Sequence, residues 1–465
     1  MCVGKYHAKL ARLPRRSSLT QLKEMLTQTA AQSQQAVSSN RPIKRHEPAL
    51  IRGRPGHCGH KLLEVPTPPS MPRRFLIFLS IVLSILGGTH YYLYAHLVTG
   101  LGPLRTPTLW AIRALFVLGA LSFPLLRVLS RRHVRRVTVL VDWLVVMWLG
   151  CVLYAFLVGL AVQVLGALSD WTGLLTVAAP LLGSSPARSG VLLVVALTAM
   201  CVIVGFVRAQ ALPRIVNLEV PLLHLPPSLD GFKLVQLSDV HIGTFARLAR
   251  IRGMVEKVNA LAPDLVVITG DLVDEQAAQL APVEPILAAV RARHGVLAVP
   301  GNHDFYAGID ELVRRAAMCG IRFLRNEKVT IASALQIYGI DDPTGARVPG
   351  GRPIPFESVL GPEIREQPSI LLYHQPIQYP RLAEMGVGLV LSGHTHGGQL
   401  WPLKYITRLF YPYVSGLFII GTSHFYVSRG TGTWGPPMRF GVPPEIVVIR
   451  LRSPGVNGEA APRPQ

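Results

Sequence analysis

Hydrophobic residues follow two different patterns along this chain. Between residues 75 and 207 they run almost unbroken, whereas after residue 230 they come in bursts of three to five separated by polar turns. The first regime resolves into runs over 75–94, 110–129, 137–168 and 189–207. Crossing a bilayer core takes roughly 20 mostly apolar residues, so these runs predict four transmembrane helices. The apolar stretch 171–183 is shorter and holds Pro180, which predicts a loop or re-entrant piece. In the second regime, the runs 234–237, 265–268, 296–299, 370–372 and 388–391 are rich in Val, Ile and Leu, as buried parallel strands are. Between the first two, Ile251, Met254, Val255, Val258 and Leu261 fall on one face of a helix over 250–262. Helices are also expected over 275–291 and 309–318, and strands near 336–339, 418–421, 424–427 and 446–451. The fold class is therefore an N-terminal α-helical membrane domain followed by a C-terminal α/β two-sheet sandwich.

This divides the chain into 1–70, basic and disordered; 71–209, the membrane domain; 210–227, a linker; 228–452, the α/β domain; and 453–465, a disordered tail. Met71-Pro-Arg-Arg-Phe, two arginines followed at once by an apolar helix, also reads as a start of translation. That reading would leave 1–70 unexpressed.

Charge changes the picture once it is divided. The chain carries +21 overall, yet residues 210–465 hold 24 Lys/Arg against 21 Asp/Glu. The α/β domain is close to neutral, so no nucleic-acid partner is expected from global charge. The arginines of the membrane part gather at 73–74, 127–136 and 208–214, all on one side of a four-helix topology. The positive-inside rule then places the α/β domain in the cytoplasm, with the chain integral to the membrane, the inner membrane in a bacterium. Cys2, Cys58, Cys151, Cys201 and Cys319 are scattered, which leaves Cys319 without a disulfide partner in the α/β domain.

The candidate chemistry sits just after the five buried runs. In order come Asp239-Val-His241, Gly270-Asp271, Gly301-Asn302-His303-Asp304, His374 and Gly393-His394-Thr395-His396. Open α/β sheets place their sites beyond the carboxyl ends of strands, so five strand ends could bring these side chains to one rim. Two divalent ions about 3.5–4 Å apart need a shared carboxylate and several imidazole and oxygen donors. Such donors suit manganese first, with iron, zinc or cobalt as alternatives.

The ordered set D-x-H, G-D, G-N-H-[DE], H and G-H-x-H resembles the calcineurin-like metallophosphoesterase superfamily, over about 230–452. The resemblance implies one metal held by Asp239, His241, Asp271 and His396, and a second by Asp271, Asn302, His374 and His394. It implies a hydroxide between the ions as nucleophile, and His303, oriented by Asp304, as the catalytic group beside them. The later segments 428–434 and 437–445 resemble the membrane-linked branch of these enzymes, some of whose members cleave a lipid pyrophosphate. There, Arg429 and Arg439 are candidates to clamp a phosphate oxygen. The aromatic-rich stretch 400–413 suits either an interfacial segment or a packed insertion. The expected function is hydrolysis of a phosphodiester or pyrophosphate bond, on a phosphorylated and lipid-linked substrate at the bilayer. A nuclease or nucleotide phosphodiesterase, and a membrane scaffold with a vestigial metal site, are the alternatives.

Overall fold

The computed structural model describes residues 73–129, 135–172, 186–243, 246–348 and 351–454. The readings for 1–70, for 173–183 and for the tail beyond 454 lie outside the described residues. The described residues form one compact unit.

Four long helices come first: α1 (Arg73–Leu101), α2 (Thr106–Leu129), α3 (Arg135–Thr172) and α4 (Pro186–Gln210). Each is long and apolar enough to cross a membrane. Some of their polar groups find one another. Trp148 Nε1 donates to His90 Nε2 at 2.9 Å, and Arg113 Nε donates to the Tyr94 hydroxyl at 2.8 Å. Pairing of this kind lets polar side chains sit in an apolar bundle without an unsatisfied hydrogen bond.

Two six-stranded sheets follow. The first runs β1 (Arg214–Pro221), β12 (Glu445–Arg452), β2 (Lys233–Leu237), β3 (Leu265–Thr269), β4 (Val296–Val299) and β5 (Ile321–Phe323). The second runs β10 (Gly416–Ile420), β11 (Ser423–Val427), β9 (Leu389–Ser392), β8 (Ser369–Leu372), β7 (Leu335–Gly339) and β6 (Glu327–Ile331). Neighbours β2, β3 and β4 are parallel, as are β8 and β9, so all five site-bearing strands deliver their carboxyl ends in register.

Alternation along the strands explains the layering. Leu234, Leu265, Val267, Leu297 and Val299 meet Ile337, Ile370 and Leu389 between the sheets. Their neighbours Val235, Leu237, Val266, Ile268 and Ala298 pack outward under helices α5 (Leu248–Ala260) and Ile309–Met318. Period-two side chains thus serve two cores with one strand. Beneath the site, the buried Gln236 amide ties the sheets together, donating to Thr269 Oγ1 at 2.8 Å and to Ser392 O at 3.1 Å.

Two sequence expectations need correction. The stretch 210–227 is not a plain linker, because β1 pairs in parallel with β12 from Arg214↔Glu445 to Pro221↔Arg452. Its polar positions, Arg214, Asn217 and Glu219, hid an edge strand. Residues 275–291 form no continuous helix either: a 3-10 turn, Ala277–Val283, runs into a single helical turn, Glu284–Leu287. Pro282 and Pro285 break the helical hydrogen-bond ladder there.

Candidate metal centre

Tight turns after β2, β3, β8 and β9 bring Asp239, His241, Asp271, His374, His394 and His396 together at the rim between the sheets, and Asn302 opens the helical turn after β4 that also carries His303. Asp239, His241 and His396 form one group with donor atoms mutually within 4.8 Å, and Asp271, His374 and His394 form another. Asp271 lies between them, its Oδ2 3.8 Å from His241 Nε2 and 3.2 Å from His374 Nε2. Asp239, His241, Asp271, His394 and His396 all adopt left-handed backbone, with φ of 51°, 48°, 51°, 71° and 51°. Such conformations cost non-glycine residues roughly 1–3 kcal/mol each and persist where the surroundings fix them. The glycines of the motifs make room: a Cβ on Gly301 would strike the Asp271 carboxylate, and one on Gly393 the Asp239 carboxylate.

His374, His241 and His394 each set one ring nitrogen against a group that can accept its N–H, which turns the other towards the centre. His374 Nδ1 donates to Thr269 O at 2.8 Å, and His241 Nδ1 lies 3.2 Å from Asp274 Oδ1. His394 Nε2 lies 2.7 Å from the Tyr411 hydroxyl, and His396 Nδ1 lies 3.0 Å from Arg439 Nη2. The carboxylates are held by backbone from neighbouring motifs. His303 N donates to Asp271 Oδ1 at 2.8 Å, and His394 N to Asp239 Oδ1 at 2.9 Å.

Divalent ions fit these donors on an observation internal to the site. Asn302 Oδ1 and His374 Nε2 are buried without a hydrogen-bond partner; the 3.2 Å approach of His374 to Asp271 lacks the geometry of one. Both atoms are lone-pair donors expected at the second metal, and a cation would satisfy them. Electrostatics agrees. Burial pushes the Asp271 carboxyl up, but the imidazoles of His374, His241 and His303 outweigh it and hold the group well below the usual range. For Asp239 burial wins and raises the carboxyl.

His303 sits beside the pair, but Asp304 does not orient it. The Asp304 carboxylate accepts from Gly301 N at 2.9 Å and from Val273 N at 3.2 Å, fixing the turn that carries Asn302. Burial and the charge of Asp271 push it up to about 7. The residue that holds His303 is Asp274, which lies 2.8 Å away through its backbone oxygen and 3.3 Å through Oδ1. Burial lowers the His303 pKa, yet Asp274 and Asp271 outweigh it and carry the ring up to about 9. The sequence offered only an Asp-x-x-Asp spacing after β3 as a signal for Asp274.

Arg439 is not a phosphate clamp. It is fully buried, and its guanidinium donates to Gly432 O, to Arg429 O at 2.6 Å and to His396 O at 3.3 Å. Burial lowers its pKa to about 9. Its place is behind His396. Arg429 remains partly exposed, 3.6 Å from Glu445 Oε2, with its stem against the Gly397 turn.

Residues 232–398 match the family described as Calcineurin-like phosphoesterase. A transmembrane protein with metallophosphoesterase domain from Danio rerio is 36% identical over 268 residues, 55% of this chain and 61% of that protein. The chain thus covers less than two thirds of the length of that relative. An uncharacterized metallophosphoesterase from Aquifex aeolicus is 37% identical over 232 residues, 49% of this chain and 88% of that one. Among solved structures, a dimetal phosphatase from Danio rerio is similar at 12% identity, with 48% of this chain and 99% of that chain covered and a TM-score of 0.32.

Proposed function

This chain belongs to the calcineurin-like phosphoesterase family, and from that premise we propose that it hydrolyses a phosphodiester or pyrophosphate bond at a pair of divalent ions. The observation that carries this is the pair of donor groups meeting at Asp271, with Asn302 Oδ1 and His374 Nε2 buried and unpartnered beside it. Asp239, His241, Asp271 and His396 would hold one ion; Asp271, Asn302, His374 and His394 the other. We assign manganese, and the same donors suit iron, zinc or cobalt. Bound there, the ions supply Lewis acidity that activates water near neutral pH and draws charge from the phosphoryl oxygens.

The protein's own groups do the rest. His303 Nδ1 is committed to Asp274, which leaves Nε2 to pass a proton to the departing oxygen. The charges of Asp274 and Asp271 favour the protonated form of the ring. Asp274 reaches both His303 and His241, so one carboxylate orients the acid and a ligand together. Arg429 is partly exposed beside the Gly397 turn, where its guanidinium would grip a phosphate oxygen.

Four spanning helices in the same compact unit favour a substrate held in the bilayer, a lipid-linked phosphate or pyrophosphate, met from the cytoplasmic side. Near-neutral charge over 210–465 argues against a nuclease, since polyanion binding rests on phosphate neutralisation. The test uses the full chain in detergent with Mn²⁺ and bis-p-nitrophenyl phosphate, beside Asp271→Asn. Metal-dependent hydrolysis lost in the variant supports the reading. A folded, metal-loaded protein that turns over neither this ester nor lipid pyrophosphates would overturn it in favour of a scaffold.

A further inference from the structure

Helix α6 (Lys404–Phe410) is seven residues long and buries none of them. Tyr405, Ile406, Leu409 and Phe410 are all exposed, Phe410 at 68%, and so is Trp401 just before them. Water does not favour five large apolar side chains displayed within ten residues, and such clusters mark surfaces that something covers. What covers this one follows from where the segment is tied. The Tyr154 hydroxyl of spanning helix α3 donates to Trp401 O at 3.1 Å. Leu400 and Leu403 pack with Tyr154 and with Cys201 of spanning helix α4. The exposed segment therefore continues directly from the flank of helices that cross the membrane. Trp401 and Tyr405 have the amphipathic rings favoured at headgroup depth, and Lys404 and Arg408 the cations that anionic headgroups attract.

We propose that α6 with Trp401 rests against the bilayer, with lipid as its partner. This contact reaches the metal centre in one step, because Tyr411, the residue after α6, holds His394 Nε2 at 2.7 Å. A second membrane contact works the same way on His396. A Cβ added to Gly150 or Gly205 of the spanning helices would meet the Met438 side chain, Phe440 lies edge-on to Tyr154 at 5.3 Å, and Arg439 N donates to Gly205 O at 2.8 Å. Between those two residues Arg439 reaches His396. Both histidines of 393–396 are thus positioned by segments that rest on the membrane or on its helices. The bilayer becomes part of what sets the geometry of the site, whatever the substrate.

Depth-dependent quenching tests the placement without reading activity. The full chain, carrying an environment-sensitive fluorescent amino acid at Leu409, is reconstituted into vesicles containing spin-labelled phosphatidylcholine. Labels at Leu118 in α2 and at Met318 serve as the membrane and water references, both being exposed on the protein. The expected result is strong quenching at Leu409 by a label near the headgroup, several-fold above that at Met318. Quenching at Leu118 but only the Met318 level at Leu409 would overturn the proposal. A Leu409 label shielded from aqueous iodide yet not quenched by lipid would also overturn it, and would place a second protein surface there.

Discussion

Asp239, Asp271 and His374 are secured by a different kind of partner from the two histidines that follow β9. Asp239 and Asp271 accept backbone N–H groups of neighbouring motifs, and His374 donates to a backbone oxygen, all buried within the α/β core. His394 and His396 lean instead on two side chains, Tyr411 and Arg439, that belong to segments resting on the membrane helices. One half of the centre is therefore a property of the sheets. The other half depends on how the α/β domain meets the membrane. Backbone partners change little with surroundings, whereas side-chain partners follow the segments that carry them.

The largest expected effect breaks both halves at once. Asp271→Asn removes the shared carboxylate charge and should lower kcat/KM on the order of 10³-fold or more. A residual rate within tenfold of the parent would deny Asp271 its bridging place. Next comes Arg439→Met, which leaves the oxygens of Gly432, Arg429 and His396 buried without their donor. Each buried carbonyl left without its donor costs about 1–3 kcal/mol, so thermal unfolding should show a clear loss along with loss of activity. Stability within 1 kcal/mol of the parent, roughly the worth of one ordinary hydrogen bond, would contradict that role.

Tyr411→Phe sharpens the comparison, because it deletes one hydroxyl and little else. Metal affinity should fall about 10-fold or more, with thermal stability nearly unchanged. Titration of metal into apoprotein separates this from simple destabilisation. If Tyr411 matters only as packing, affinity will not move.

Asp274→Asn acts through His303. Asp274 and Asp271 raise the His303 pKa, and a general acid is lost as pH rises through its pKa. Removing the Asp274 charge lowers the folded pKa, so the alkaline limb of the kcat/KM profile should move to lower pH. An unmoved limb would assign that ionisation to another group. The smallest effect belongs to Arg429→Ala. It should raise KM several-fold with kcat little changed, as expected when ground state and transition state are gripped alike.

The clustering of these side chains was legible in the sequence because strand ends dictate position, so the residues from Asp239 to His396 that meet at one rim could be read from motifs alone. Four helices were legible for a similar reason, since a bilayer sets both length and composition. The partners that orient the ligands were not. Tyr411 lies 17 residues from His394, and Arg439 lies 43 from His396, distances over which no local pattern runs. Arg439 in a glycine-rich tail looked like a phosphate clamp, yet full burial among carbonyls gives it structural work. Asp304 adjoins His303 in sequence but points elsewhere, capping Gly301, because a helical turn rotates successive side chains by about 100°. Strand β1 escaped notice because an edge strand tolerates the charged positions that made it read as a linker.

The count of tightly bound divalent metal per folded chain tests the central claim most directly, taken by mass spectrometry on the full protein and on Asp271→Asn. Two ions per chain in the parent, falling to one or none in the variant, is the predicted result. A folded parent that retains no metal, or a variant that still holds two, would contradict a centre built around Asp271.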